Sequence, residues 1–187
     1  MTEGGPTIGR AMPSVIATPV PPDSLLGRLA AERRAFADAY TLKLPRAVSQ
    51  ADFVEAFYTT RLFKVERALL TLLGRPSSDV AARALARGES QRIAAWTVEA
   101  RAGDELLMHE DSGATRSWFK TEAGEGGGTT LWFGSAVVPR RTPGPGGQPR
   151  FGLVFNAVLG FHRHYSRALL AAAARRLRAQ DPAQDPV

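Results

Sequence analysis

Residues 92–138, RIAAWTVEARAGDELLMHEDSGATRSWFKTEAGEGGGTTLWFGSAVV, decide how this chain folds. At the start of the stretch Ala94, Trp96 and Val98 fall on one face, with Ile93, Thr97 and Glu99 on the other. That is the two-residue period of a strand. Ala102, Gly103 and Asp104 supply turn chemistry before ELLMHED, and Ser112 and Gly113 supply it before ATRSWFKTE. EAGEGGG then forms a flexible connection to TTLWFGSAVVP. Four successive strands joined by short turns are most simply an antiparallel meander.

The C-terminal residues give the meander a covering layer. PRRTPGPGGQPR, residues 139–150, is stiffened by proline yet rich in glycine, and is expected to be mobile or disordered. From 151 to 178 the residues Val154, Phe155, Val158, Phe161, His162, Tyr165, Leu169 and Ala172 recur at three- and four-residue spacing. They mark one helix of roughly 40 Å at the usual rise per residue. A helix so long must lie across something large, and the sheet is the partner available. The polar, proline-bearing stretch 180–187 is expected to be a disordered tail.

Upstream, residues 1–22 carry five prolines and read as a flexible leader. Leu25, Leu26, Leu29 and Ala30 come after Asp23 and Ser24, a capped helix. In FADAYTLKLP, Ala37, Ala39, Thr41 and Lys43 alternate with Tyr40, Leu42 and Leu44, a strand ended by Pro45. Three helices are expected next. Ser49 and Asp52 cap the first, which turns Phe53, Val54 and Phe57 inward. The second, 62–73, presents Leu62, Val65, Leu69, Leu72 and Leu73 inward and stops at Gly74. The third is capped by Ser77 and Ser78 and runs through Val80, Ala84 and Leu85 to Gly88. Covering the sheet is the expected role of all three. The fold class is therefore α+β, one domain over 23–179.

Composition narrows the function classes. A chain of 187 residues, 44% hydrophobic and 22% charged, suits one globular domain. It has no cysteine, which removes disulfides, thiolate metal sites and cysteine catalysis. The net charge is +6, but the basic residues are scattered. The densest group, Arg163, Arg167, Arg175, Arg176 and Arg178, falls late in the last helix, where cations complement the macrodipole. No stripe of cations interleaved with exposed aromatics occurs, so nucleic acid is not an expected partner. No secretory signal and no run of eighteen apolar residues is present, so the expected protein has no membrane span and is cytoplasmic.

The order of elements resembles the START-like, Bet v 1-like (SRPBCC) helix-grip superfamily. Within it, AWTVEARAGDELLMHEDSGATRSWF, TTLWFGSAVV and FHRHYSRALL, preceded by ADAYTLKLP and ADFVEAFY, resemble the bacterial domain of unknown function 2867 family over residues 35–178. The resemblance implies a curved sheet gripping the last helix with an apolar cavity between them. It supplies no catalytic signature.

Candidate site residues are set by the same faces. Trp96, Trp118 and Trp132 lie on three different strands and are expected on one surface beneath the helix. There they either line a cavity for an apolar or aromatic ligand or fill a core. Arg116 shares a face with Trp118, with Glu110 or Asp111 in reach across the turn. It is either a cavity cation needing a carboxylate or an anionic ligand, or half of an exposed salt bridge. His162 stands in the apolar stripe with Tyr165, as an acid–base group or a core histidine, whereas His164 faces water. His162 and His164 cannot share a metal from one helical face, and no metal or cofactor is expected. EAGEGGGTT joins two strands and lacks a lysine, so it is not a phosphate loop, and no G-x-S-x-G element occurs.

The expected function is therefore binding of a small apolar ligand between sheet and last helix. Two alternatives stand beside it. One is a cyclase-, aromatase- or hydrolase-like enzyme using Arg116, His162 and Tyr165 on a carbonyl. The other is an interaction module using the basic helix end and the 139–150 loop. No feature of the sequence sets an oligomeric state.

Overall fold

The computed structural model describes residues 14–139 and 153–180, with the side chains of the last helix described from Arg163 onward. Among these residues the order is β1 (Ile16–Thr18), α1 (Leu25–Arg33), β2 (Phe36–Leu44), α2 (Gln50–Tyr58), α3 (Arg61–Leu72), α4 (Asp79–Ala86), β3 (Arg92–Ile93), β4 (Trp96–Ala102), β5 (Glu105–Glu110), β6 (Thr115–Ala123), β7 (Thr129–Val137) and α5 (Leu153–Ala179). The architecture is α+β. All seven of these strands form one antiparallel sheet in the order β1-β2-β7-β6-β5-β4-β3. The four-strand meander is its larger half, and β2 closes onto the meander's last strand through nine register pairs.

Period-two alternation gives the sheet two apolar faces. Tyr40, Leu42, Leu44, Leu106, Met108, Phe119, Leu131 and Phe133 point to the major face. There they meet Phe53, Val54 and Phe57 of α2, Leu85 of α4, and Leu169, Leu170, Ala173, Ala174 and Leu177 of α5. Phe57 is the hub, its ring 4.7 Å from both Phe119 and Phe133. On the opposite face Ala39, Leu107, Trp118 and Ala136 are covered by Leu26 and Leu29 of α1.

Polar groups fasten both layers. Ser24, Ser49, Thr60 and Ser78 each accept a backbone N–H at their helix N-termini. Glu105 accepts both the Leu25 N–H and the Trp118 indole N–H at 2.7 Å, tying the start of α1 to the sheet.

Gly134 permits that second layer. A Cβ there would lie 2.6 Å from Leu26 Cδ2 and 2.9 Å from both Trp118 Cε3 and the Asp38 carbonyl oxygen. Gly134→Ala is expected to cost about 1–3 kcal/mol through overpacking, read as a lowered urea midpoint at unchanged m-value.

Three expectations change. Ile16–Thr18, inside the expected flexible leader, pairs with β2 as an edge strand, while residues 1–13 lie outside the described residues. The single strand expected at 92–100 is two, because Ala94 at φ 49° turns β3 back onto β4 and pairs Ile93 with Trp96. Helix α3 is rotated relative to expectation. Phe63 is its one fully buried side chain, whereas Val65, Leu69, Leu72 and Leu73 are exposed. The helix is held by Lys64 and Arg67, each 2.7 Å from Asp79 at the start of α4. In this orientation Glu66, beside Phe63, faces inward rather than the leucine stripe. The loop expected at 139–150 and the tail expected at 180–187 fall almost wholly outside the described residues.

Candidate functional site

A cavity of about 340 Å³ lies on the major face between sheet and α5. Its walls are Phe57 and Tyr58 of α2, Phe63 and Glu66 of α3, Trp96 of β4, Thr115 and Ser117 of β6, Phe133 of β7, and Tyr165, Ser166 and Leu169 of α5. Each wall residue has its place from local geometry. Phe63 and Glu66 are three apart on one helical face, as are Ser166 and Leu169. Thr115 and Ser117 are two apart on one strand face, and Phe133 shares that face through its pairing with Phe119. The volume is within the range of small-molecule pockets, and the lining is of their kind, mostly apolar with a few polar groups.

Glu66 is the polar centre. Tyr165 Oη donates to its Oε2 at 2.5 Å, and the Trp96 indole N–H is in hydrogen-bonding reach of the same carboxylate. Burial pushes the Glu66 carboxyl above its ordinary range, and the two hydrogen bonds oppose that rise only in part. Tyr165 is held firmly as a phenol, by burial first and by the Glu66 carboxylate second. Tyr58 is likewise kept protonated by burial, and donates to Met108 Sδ at 3.0 Å. Ser166 is 1% exposed, and its Oγ has no hydrogen-bond partner among the described residues. An unpaired hydroxyl is costly in a core but useful against a ligand.

The Glu66 shift has a consequence for stability. Its carboxyl binds a proton more tightly in the folded chain than its ordinary value of 4.5. Below that value both states are protonated and burial costs nothing. As pH rises through it, the unfolded chain releases its proton first, so stability falls until the native carboxyl ionises, and the penalty is constant above that. Glu66→Gln is therefore expected to raise stability at neutral pH, with the gain disappearing below 4.5. Denaturation midpoints across pH for both proteins check this; a gain constant with pH would contradict it.

The expected site residues divide between the two faces. Trp96 and Tyr165 line the cavity. Trp118 and Trp132 do not; they pack against each other on the α1 face at 6.1 Å between ring centroids. The Trp118 side chain is fully buried, and Trp132 donates to Glu122 at 3.0 Å. Arg116 lies on that face too, in register with His109. Its partner is Glu99, 2.5 Å away, rather than Glu110 or Asp111. A β-bulge between Val98 and Ala100 creates that pairing by inserting Glu99 opposite no residue of β5. Asp111 pairs with Arg75 and Arg92. The His162 side chain lies outside the described residues, and His164 is exposed as expected.

Sequence reasoning missed Glu66, Ser166, Ser117 and Tyr58. Glu66 sits in KVER, which reads as a solvated charged face. The available signal was Phe63 three residues before it, the bulkiest side chain of that helix.

A second depression runs between β1, β2 and α5, more open and more charged. Arg163 lies over the Phe36 ring at 5.5 Å and 3.7 Å from Asp38, and Arg167 lies over the Tyr40 ring at 5.8 Å. Tyr40 is pushed up to about 12 by burial and by Asp38. These groups satisfy one another.

Among the described residues no group of three histidine or acidic side chains is placed to hold a metal ion, and no helix is long and apolar enough to cross a membrane. No protein-family model, curated protein or solved structure gives a significant match to this chain.

Proposed function

We propose that this chain is a helix-grip protein, of the kind its sequence resembles, that binds a small apolar or aromatic molecule between sheet and C-terminal helix. One observation carries this reading: six aromatic rings and one carboxylate converge on a cavity of about 340 Å³ under α5. A chain using these side chains only for stability would fill that volume, because each void lining forfeits dispersion contacts. The strand order, with β2 beside β7 and the meander running outward to β3, supports the helix-grip assignment.

The enzyme using Arg116, His162 and Tyr165 together is not proposed, because Arg116 lies on the opposite face. On the cavity wall Glu66 and Tyr165 provide one proton acceptor and one donor.

Two measurements on the purified full chain test the binding reading. Native mass spectrometry looks for a carried-over apolar molecule, and calorimetric titration with naphthylmethanol looks for one saturable site. Saturable binding of one equivalent is the expected result. The absence of both a carried-over molecule and saturable binding would refute the assignment.

A further inference from the structure

We propose that the molecule this cavity accepts is an organic amine, bound as its ammonium ion with Glu66 as counter-charge and the surrounding rings as its cage. The inference rests on the binding reading above and adds the ligand's charge class.

Glu66 is the sole charged side chain on the cavity wall among the described residues. Among the described residues no arginine, lysine or histidine lines the cavity, and the donors to Glu66 are the neutral Tyr165 and Trp96. Those two donors occupy only part of what a carboxylate accepts, since its two oxygens offer about four lone-pair directions. A carboxylate taken from water without a cation is an incomplete pair, and a cationic ligand completes it. Its proton affinity, raised by burial, points the same way.

The rings favour the same occupant. Phe57, Tyr58, Phe63, Trp96, Phe133 and Tyr165 surround the space. Aromatic faces carry a negative quadrupole that attracts a cation, most strongly where water is excluded. A neutral guest would use the rings but leave the carboxylate unpaired. A carboxylate guest would meet Glu66 as a like charge. The Ser166 hydroxyl, adjacent in sequence to Tyr165 and lacking a partner among the described residues, offers an acceptor for a second ammonium N–H. A primary ammonium has three N–H donors, more than Glu66 alone takes up.

Three probes with one ring system separate the possibilities: naphthylmethylamine, naphthylmethanol and naphthoic acid, titrated calorimetrically into the full chain at neutral pH. The amine is expected to bind at least about tenfold more tightly than the alcohol, as charge-assisted pairing allows, and the acid more weakly than either. In Glu66→Gln the amine-to-alcohol ratio is expected to fall to about unity, with folding checked by thermal melting. Ser166→Ala provides an independent variant, expected to weaken the amine more than the alcohol. Alcohol binding as tight as amine binding in the unaltered chain would overturn the inference and leave the cavity reading standing. A ratio unchanged in Glu66→Gln would overturn it as well. Failure of all three probes to bind would remove the cavity reading and this inference together.

Discussion

Replacing Trp118 with alanine is expected to lower stability by about 3–5 kcal/mol and the melting temperature by about 10 °C. Its side chain is fully buried on the α1 face, against Leu26, Leu107 and Trp132. Its N–H is one of two donors to Glu105, the other being the Leu25 N–H that starts α1. Removing the indole opens a large void and strips a donor from a buried carboxylate at once. Trp118→Phe keeps much of the volume and loses the donor, so its cost is expected nearer 1–3 kcal/mol. Since this tryptophan faces away from the cavity, Trp118→Phe is expected to leave naphthylmethanol affinity within about twofold. Chemical denaturation and calorimetry of the same preparations check both statements. A strong loss of binding with little loss of stability would place Trp118 at the ligand site.

The Phe57→Ala variant is expected to combine a stability loss of about 3–5 kcal/mol with rescue by ligand. Phe57 packs edge-on against Phe119 at 85° between ring planes and contacts Phe133 at the same separation. It also forms part of the cavity wall. The truncation therefore enlarges the cavity instead of creating an isolated void. Naphthylmethanol at about one hundred times its dissociation constant should restore about 2.7 kcal/mol. Thermal melts with and without the probe measure this. A dissociation constant for the probe unchanged between the variant and the unaltered chain would show that Phe57 does not border the binding space.

The layers of this fold are legible in the residue pattern, and the faces are less so. Alternation around Trp96, Leu107, Trp118 and Trp132 marks strands, and the three- and four-residue spacing from Val154 onward marks the helix. Which face each tryptophan occupies depends on parity between strands, and a one-residue change of register moves a whole strand's side chains to the other side. The turn at 111–114 sets Trp118 opposite Leu107, while Trp96 pairs with Glu110. The bulge at Glu99 reverses the alternation once more. Arg116 thereby gains a partner that alternation in the sequence does not select.

Helix α3 shows a different limit. Hydrophobicity alone assigns Val65, Leu69, Leu72 and Leu73 to the interior, yet in the fold α3 buries Phe63, turns Glu66 to the cavity and pairs Lys64 and Arg67 with Asp79, which leaves that stripe exposed. Glu66 becomes the centre of the candidate site through that orientation, which no local pattern encodes. Tyr165 was legible because the long helix has one apolar stripe and Tyr165 lies on it. Its partner was not.

The most direct test of the cavity as a binding site is the dissociation constant of naphthylmethanol for the unaltered chain and for Ser166→Leu. Leucine at this position projects into the space that Ser166 borders, and removes a buried hydroxyl that has no partner among the described residues. The expected result is a melting temperature no lower than that of the unaltered chain and affinity weakened by at least about tenfold, the cost of occupying a ligand's volume. Equal affinity in two equally folded proteins would contradict the placement of the ligand site between sheet and C-terminal helix.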